Sequence, residues 1–292
     1  MSFSVNTNTG AMAALQSLSQ TNRGLSTVQN RINTGMNVAS TKDDSASFTI
    51  AQTLRGDLGG LKAVNASLSR AKSVTDVAVA GAEQISDIVN QMKAKALQAA
   101  DAGIDQASRD AINKDFVALR NQITTIVNSS SFNGTNLLKT GGGTVTALQS
   151  TGDGDSATAG YQPDSLVVAN QTMDLAVTET KTAMGTPGIL GQDSQIATQS
   201  DAQGMVDTLT ALQTSLNTKL STLGSASRRI DAQASFTSKL SDTIESGIGN
   251  LVDADLAKES AKLQALQVKQ QLGLQALSIA NQAPQSVISL FR

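Results

Sequence analysis

Both ends of the chain show apolar residues at helical spacing, and the polar residues between them are almost all neutral. Residues 2–22 and 270–291 contain no charged side chain. The outer face of a helix in water normally carries charged groups. Terminal helices with neutral outer faces are therefore better suited to packing against protein on several sides.

The C-terminal segment carries two apolar stripes on opposite faces of a predicted helix, at about 100° per residue. The first stripe consists of Leu263, Leu266, Leu274, Leu277, Ile288 and Phe291. The second stripe consists of Val268, Leu272, Ala276, Ile279, Ala283, Val287 and Leu290. One partner helix buries one stripe only, and each buried Leu or Ile contributes about 1.5–3 kcal/mol. We therefore predict a further partner, either in this chain or in a neighbouring molecule; the central helix of a monomeric bundle is the alternative.

The N-terminal segment is the predicted partner of the first stripe. Leu18, Leu25 and Ile32 recur every seven residues, with Leu15 and Val28 beside them. A seven-residue apolar repeat is typical of a coiled-coil contact. Because terminal segments fray unless they are held, we predict that the two ends pair with each other or are held by assembly.

Long helices are predicted between the two ends. Proline, which breaks helices, occurs only at positions 163, 187 and 284. Residues 64–96 hold two almost unbroken seven-residue repeats, which predict one helix over 61–100. A turn at 101–105 precedes a second helix that ends near 129–134, and a third runs from about 200 to about 245.

Residues 139–190 differ in character, with several glycines, two prolines and many threonines. The short runs 144–148 and 165–168 are compatible with the strands of a hairpin. The predicted fold is therefore mainly α: long antiparallel helices folded into a coiled-coil rod, with a small β-hairpin or loop insertion in mid-chain. Three regions are predicted: 1–42 with 250–292, 43–138 with 191–249, and the insertion 139–190.

Composition argues against several function classes. The chain of 292 residues has no Cys, His or Trp and a net charge of −2. Without His or Cys, the common catalytic triads and most zinc sites are unavailable, so no catalytic residue, cofactor or metal site is predicted. The charge balance does not favour nucleic acid. Residues 270–291 are too polar for a membrane span, and no cleaved signal peptide is recognised at the N-terminus.

Several segments resemble the bacterial flagellins. Residues 26–35 (STVQNRINTG), 42–50 (KDDSASFTI) and 131–138 (SFNGTNLL) are similar to flagellin N-terminal motifs. Residues 253–256 (DADL) and 280–292 (ANQAPQSVISLFR) resemble the C-terminal motifs of the family. The resemblance covers about 1–138 and 200–292, and it leaves out the insertion.

The resemblance implies a short flagellin that polymerises into an extracellular flagellar filament for motility. Implied partners are further copies of the chain, the hook–filament junction and cap proteins, an export chaperone and the flagellar type III export apparatus, with other flagellins as further candidates. The alternative is another type III-secreted helical binding or effector protein. The predicted self-association residues are Leu15, Leu18, Leu25, Ile32, Leu263, Leu266, Val268, Leu272, Leu274, Leu277, Ile279, Val287, Ile288, Leu290 and Phe291.

Overall fold

A computed structural model describes residues 8–153, 163–175, 190–191 and 193–290, with the backbone alone for 153, 163 and 283–290. Over these residues the chain forms five helices and one two-stranded antiparallel sheet. The helices are α1 (Thr9–Thr34), α2 (Ser45–Ala100), α3 (Gln106–Ser129), α4 (Gln199–Val252) and α5 (Leu256–Leu290). The strands are β1 (Val145–Asp153) and β2 (Pro163–Val168). The predicted class, mainly α with a small hairpin in mid-chain, is confirmed.

Helix α2 begins well before the predicted start at residue 61, and the reason is a capping residue. Asp44 Oδ1 accepts hydrogen bonds from the backbone N–H groups of Ala46 at 3.0 Å and Ser47 at 3.2 Å. A side-chain acceptor at this place satisfies N–H groups that have no partner inside the helix. The neighbouring Asp43 stabilises the preceding turn, where its Oδ2 accepts from Ser40 N at 3.0 Å.

Two compact units divide the chain: Met1–Leu58 with Asp242–Arg292, and Gly59–Ser241. The three regions predicted from the sequence stay a prediction. The 59–241 unit contains the larger core, in which all ten predicted repeat positions of 64–96 are buried. Thr75, the one polar residue among them, donates its hydroxyl to Ala71 O at 2.9 Å. Burial at these positions therefore leaves no hydroxyl unsatisfied.

The hairpin forms part of the core of the 59–241 unit. Its strands pair from Val145 opposite Val168 to Leu148 opposite Ser165. Val145, Ala147, Leu166 and Val168 are buried and join the cluster that contains the helical core residues. Because side chains alternate between the faces of a strand, Val167 points away from this cluster and is 54% exposed.

The other unit has a small core where its chain segments meet. Val38, Ala51, Ile248 and Val252 are buried together, with Phe48 packed against them. Gly35, at φ 70°, ends α1 in the left-handed conformation, which glycine adopts without the steric cost of a side chain. The backbone is then held on both sides: Asn37 N donates to Val252 O at 2.7 Å, and Ala254 N donates to Gly35 O at 2.9 Å.

Candidate self-association surfaces

Helices α1 and α5 pair along their lengths in antiparallel orientation. Near the start of α1, Asn8 Nδ2 donates to Ala280 O at 2.7 Å. Near its end, Arg31 Nη1 lies 3.7 Å from Glu259 Oε1. Residue numbers rise along α1 as they fall along α5, so the two helices run antiparallel in contact. The predicted pairing of the two ends is confirmed.

Glycine and leucine face each other twice between the paired helices. A Cβ placed on Gly24 would lie 3.5 Å from Leu266 Cδ1, and one placed on Gly273 would lie 3.3 Å from Leu18 Cδ1. Each leucine therefore occupies space that a side chain on the opposite helix would fill. Between these two contacts, Gln270 Nε2 donates to Asn22 Oδ1 at 2.8 Å.

Burial along α5 follows a strict seven-residue repeat. We call its less exposed positions between residues 257 and 282 the paired face: Glu259, Leu263, Leu266, Gln270, Gly273, Leu277 and Ala280. Steps of four and three residues alternate along this face, which is the repeat of helices that supercoil around each other. On α1, seven of the nine buried or half-buried residues repeat in the same way, and the other two are Gly24 and Arg31; the seven are Ala11, Ala14, Leu18, Thr21, Leu25, Val28 and Ile32.

Two sequence-based placements were wrong. Leu274, predicted to share a face with Leu263, is 53% exposed. Leu15, predicted beside the α1 repeat, is 55% exposed. The predicted stripe that contains Leu274 assumes 3.6 residues per helical turn, whereas helices that supercoil around each other keep contact at 3.5 residues per turn. Over eleven residues this difference moves Leu274 off the paired face.

The second predicted stripe is exposed in the single chain. Val268 is 55%, Leu272 56% and Ile279 68% exposed, and we call these three residues the outer stripe. Helix α5 includes Val287, Ile288 and Leu290, but the structure describes only their backbone. Phe291 lies outside the described residues. None of the described helices combines the length and the apolarity needed to cross a membrane.

Some surface and interface residues were missed by the sequence analysis. Met12 is 65% exposed on α1, and Leu256 is 50% exposed at the start of α5. Glu259 is 5% exposed on the paired face, and Lys262 Nζ donates to its Oε1 at 2.6 Å. The sequence signal that indicates burial of Glu259 is its spacing, since it lies seven residues before Leu266 in the same repeat.

Two family models match the chain: the bacterial flagellin N-terminal helical region over residues 5–141, and the bacterial flagellin C-terminal helical region over residues 206–291. The chain belongs to the bacterial flagellin family. It is 43% identical over 290 residues to flagellin FljM of Caulobacter vibrioides, covering 99% of this chain and 98% of that protein. It is 36% identical over 299 residues to a flagellin of Brucella melitensis, covering 99% of each. A crystal structure of Bacillus cereus flagellin aligns with a TM-score of 0.45 at 19% identity, covering 57% of this chain and 86% of that one.

Membership of the flagellin family confirms the resemblance and the predicted function. The chain is a structural subunit that polymerises into the bacterial flagellar filament for motility. The matches give no support to the alternative of another secreted helical effector. In this flagellin the motif at 253–256 has a structural role at the start of α5, where Asp255 Oδ1 accepts from Ala257 N at 3.0 Å.

Proposed function

We propose that neighbouring copies of the chain bury the outer stripe of α5 when this flagellin polymerises. The observation that carries the proposal is the two-sided character of α5. One face already contacts α1, yet Leu272 and Ile279 on the other face remain 56% and 68% exposed. Covering apolar side chains of this size is favourable by about 1.5–3 kcal/mol each, which is a driving force for association.

The exposed apolar residues of α1 extend this surface. Met12 and Leu15 are more than half exposed on the helix that pairs with α5. A contact between two different surfaces of the same chain repeats without closing when successive copies are related by a screw operation. Such a contact between α5 of one copy and α1 of the next would produce an open filament.

Eleven of the fifteen predicted residues then divide into two groups with different roles. Leu18, Leu25, Ile32, Leu263, Leu266 and Leu277 hold α1 and α5 together within one chain. Val268, Leu272, Ile279, Leu15 and Leu274 contact neighbouring copies. The other four are assigned from the sequence alone, Ile288 and Phe291 to the first predicted stripe and Val287 and Leu290 to the second.

The assignment to the flagellar filament also implies how the chain is exported and what it contacts. We propose that the chain has no catalytic activity, is exported through the type III apparatus with a chaperone, and assembles outside the cell between the hook–filament junction and the cap. Other flagellins join the same filament, and neither nucleic acid nor insertion into a membrane is involved. In the filament, 1–42 with 250–292 act as the coiled-coil core domain, 43–138 with 191–249 act as the tube domain, and 139–190 present their exposed residues, such as Val167, to the surface.

The test places a charge on the outer stripe. Leu272→Asp and Ile279→Asp are each compared with Gln271→Asp, which adds the same charge at an exposed residue beside Leu272. An unpaired charge buried in a contact costs several kcal/mol. We expect electron microscopy of seeded full-length protein to show no filaments for Leu272→Asp or Ile279→Asp and normal filaments for Gln271→Asp.

Circular dichroism of the same samples separates failed assembly from failed folding. Both stripe variants should keep the helical signal of the unassembled wild-type chain, because the changed residues are exposed before assembly. Normal filaments from Ile279→Asp would disprove the role of the outer stripe. Loss of filaments in Gln271→Asp as well would show that charge itself, rather than the stripe, blocks assembly.

A further inference from the structure

A buried carboxylate interrupts the paired face of α5. Glu259 is 5% exposed, and it is the one fully buried charged residue among the described residues of its unit. It faces Arg31 of α1, whose side chain is 28% exposed, at 3.7 Å, and it accepts a hydrogen bond from Lys262 at 2.6 Å. Glu259 therefore occupies a position that an apolar residue would fill with less loss of hydration.

The ion pair is incompletely satisfied within the protein. Arg31 Nε and Glu259 Oε2 are both buried, and neither has a hydrogen-bond partner among the described residues. A buried pair of this kind contributes little to stability, since the loss of hydration offsets the attraction. Polar residues at such positions in paired helices instead specify register, meaning which turn of one helix lies beside which turn of the other.

The apolar repeat alone leaves the register ambiguous. Both helices repeat every seven residues, so sliding α5 by seven residues along α1 again brings core positions of one repeat opposite core positions of the other. The same slide would bring Glu259 opposite Gly24 or Val38 in place of Arg31. Gly24 offers no side chain, and Val38 lies beyond the end of α1. In either slipped arrangement Glu259 keeps Lys262, which lies on the same helix, but loses the contact with Arg31.

We propose that Glu259, through Arg31, sets the register between α1 and α5, and is a positioning residue for filament assembly. The register decides which exposed residues of α1 lie level with the outer stripe of α5. A chain in the wrong register would present a displaced surface to the next copy. The register itself concerns contacts within one chain, and its consequence for assembly rests on the proposed contacts between copies.

Disulfide cross-linking measures the register directly, because the natural chain has no cysteine. A Cβ on Gly10 would lie 4.0 Å from Ala280 Cβ, within the range that a disulfide spans. Gly10→Cys with Ala280→Cys therefore reports the observed register. Ser17→Cys with Ala280→Cys and Gly10→Cys with Gly273→Cys report slides of one repeat in the two directions. All three pairs lie well away from Glu259 along the helices.

The decisive variant replaces the ion pair by leucines, Arg31→Leu with Glu259→Leu, in full-length unassembled protein. We expect thermal stability to be maintained or raised, and the yield of slipped cross-links to rise about tenfold, as the loss of a charged interaction implies. Lys258→Leu, at an exposed neighbouring position, should give the observed cross-link alone. The exchanged pair, Arg31→Glu with Glu259→Arg, should restore the observed register.

Three results would overturn the proposal. Cross-links of the leucine variant in the observed register alone would assign the register to the glycine–leucine contacts. Loss of all its cross-links together with helicity would make the ion pair necessary for pairing itself. Slipped cross-links in the exchanged pair would show that the charges do not set the register. Cross-linking is read before seeding, so these results are independent of whether filaments form.

Discussion

Single glycines decide how closely parts of the 59–241 unit approach each other. Gly81 lies inside α2, and a Cβ there would be 2.9 Å from Leu138 Cδ1 and closer still to Ser130 Oγ. Gly59, in the same helix, has nothing within 4 Å of the equivalent position. The same residue type therefore has a packing role at Gly81 and none at Gly59.

Replacing these two glycines by alanine should have opposite effects on stability. Gly59→Ala should stabilise by about 0.5–1 kcal/mol, since alanine loses less conformational entropy in a helix. Gly81→Ala should destabilise by about 1–3 kcal/mol, since the added methyl group overlaps buried neighbours. Urea unfolding midpoints measure both effects. A raised midpoint for Gly81→Ala would show that the surrounding side chains move aside freely.

Charge at the start of α3 makes that helix sensitive to acid. Asp105 caps α3, and its hydrogen bonds with Ser108 lower the pKa of the carboxyl below its ordinary value of 3.8. A carboxyl with a lowered folded-state pKa stabilises the fold above its unfolded value, and this contribution is lost as the pH falls through the folded value. The contribution is therefore complete at neutral pH, begins to diminish near the ordinary pKa of 3.8, and is gone once the pH lies below the lowered folded-state pKa.

The Asp105→Asn variant isolates this effect, because asparagine caps a helix without titrating. Between about pH 5 and about pH 3, the thermal midpoint of wild type should fall further than that of Asp105→Asn. Asp105→Ala should be less stable than wild type at neutral pH, since it has no cap. Equal acid sensitivity in wild type and Asp105→Asn would mean that other groups account for the whole pH dependence.

Among the elements, the hairpin has a larger structural role than its position outside the two flagellin family matches suggests. Its inward-facing residues share one core with the helices of the 59–241 unit. Asn170 also ties the end of β2 to the loop before β1, where its Nδ2 donates to Lys139 O at 2.9 Å. The hairpin therefore stabilises the helical unit as well as displaying a surface.

Two adjacent residues of β2 test this role. Leu166→Ala should destabilise the unit by about 2–5 kcal/mol, the range for truncating a buried leucine. Val167→Ala, on the exposed face of the same strand, should change stability by less than about 0.5 kcal/mol. Denaturant titration gives both values. Equal small effects would mean that the hairpin only lies against the helices.

At the scale of the whole molecule, the larger core and the surface that we propose for assembly belong to different units. The core of the 59–241 unit includes residues from Val64 to Ile230 and none from the terminal helices. The outer stripe belongs to the other unit, which has a core of four buried residues. Stability and polymerisation should therefore respond to different changes.

Removing residues 1–40 and 255–292 should abolish filaments while the 59–241 unit stays folded. The truncated chain keeps every buried residue of the larger core. Electron microscopy with seeds measures filament formation, and circular dichroism during heating shows whether cooperative unfolding remains. Filaments from the truncated chain would mean that the long central helices polymerise without the ends. A truncated chain without cooperative unfolding would mean that the terminal helices support the larger core.

Helices, hairpin and the pairing of the ends were all predictable from the sequence. Their signals are local: a seven-residue apolar repeat, the rarity of proline, and short runs of strand-favouring residues beside glycine. These signals indicate which residues of a segment are buried together, because period and face are properties of that segment alone. The second stripe on α5 was predictable for the same reason, and Leu272 and Ile279 are exposed as expected for a face that no helix of the same chain covers.

Only the tertiary structure decided the placements that depend on two helices at once. Supercoiling shifted burial on α5 from Leu274 to Gly273, and this depends on a partner with the same repeat. The contacts of Gly24 with Leu266 and of Glu259 with Arg31 join residues more than two hundred positions apart. A pattern along one segment shows which face is buried, whereas register is a relation between segments that exists only once they pack.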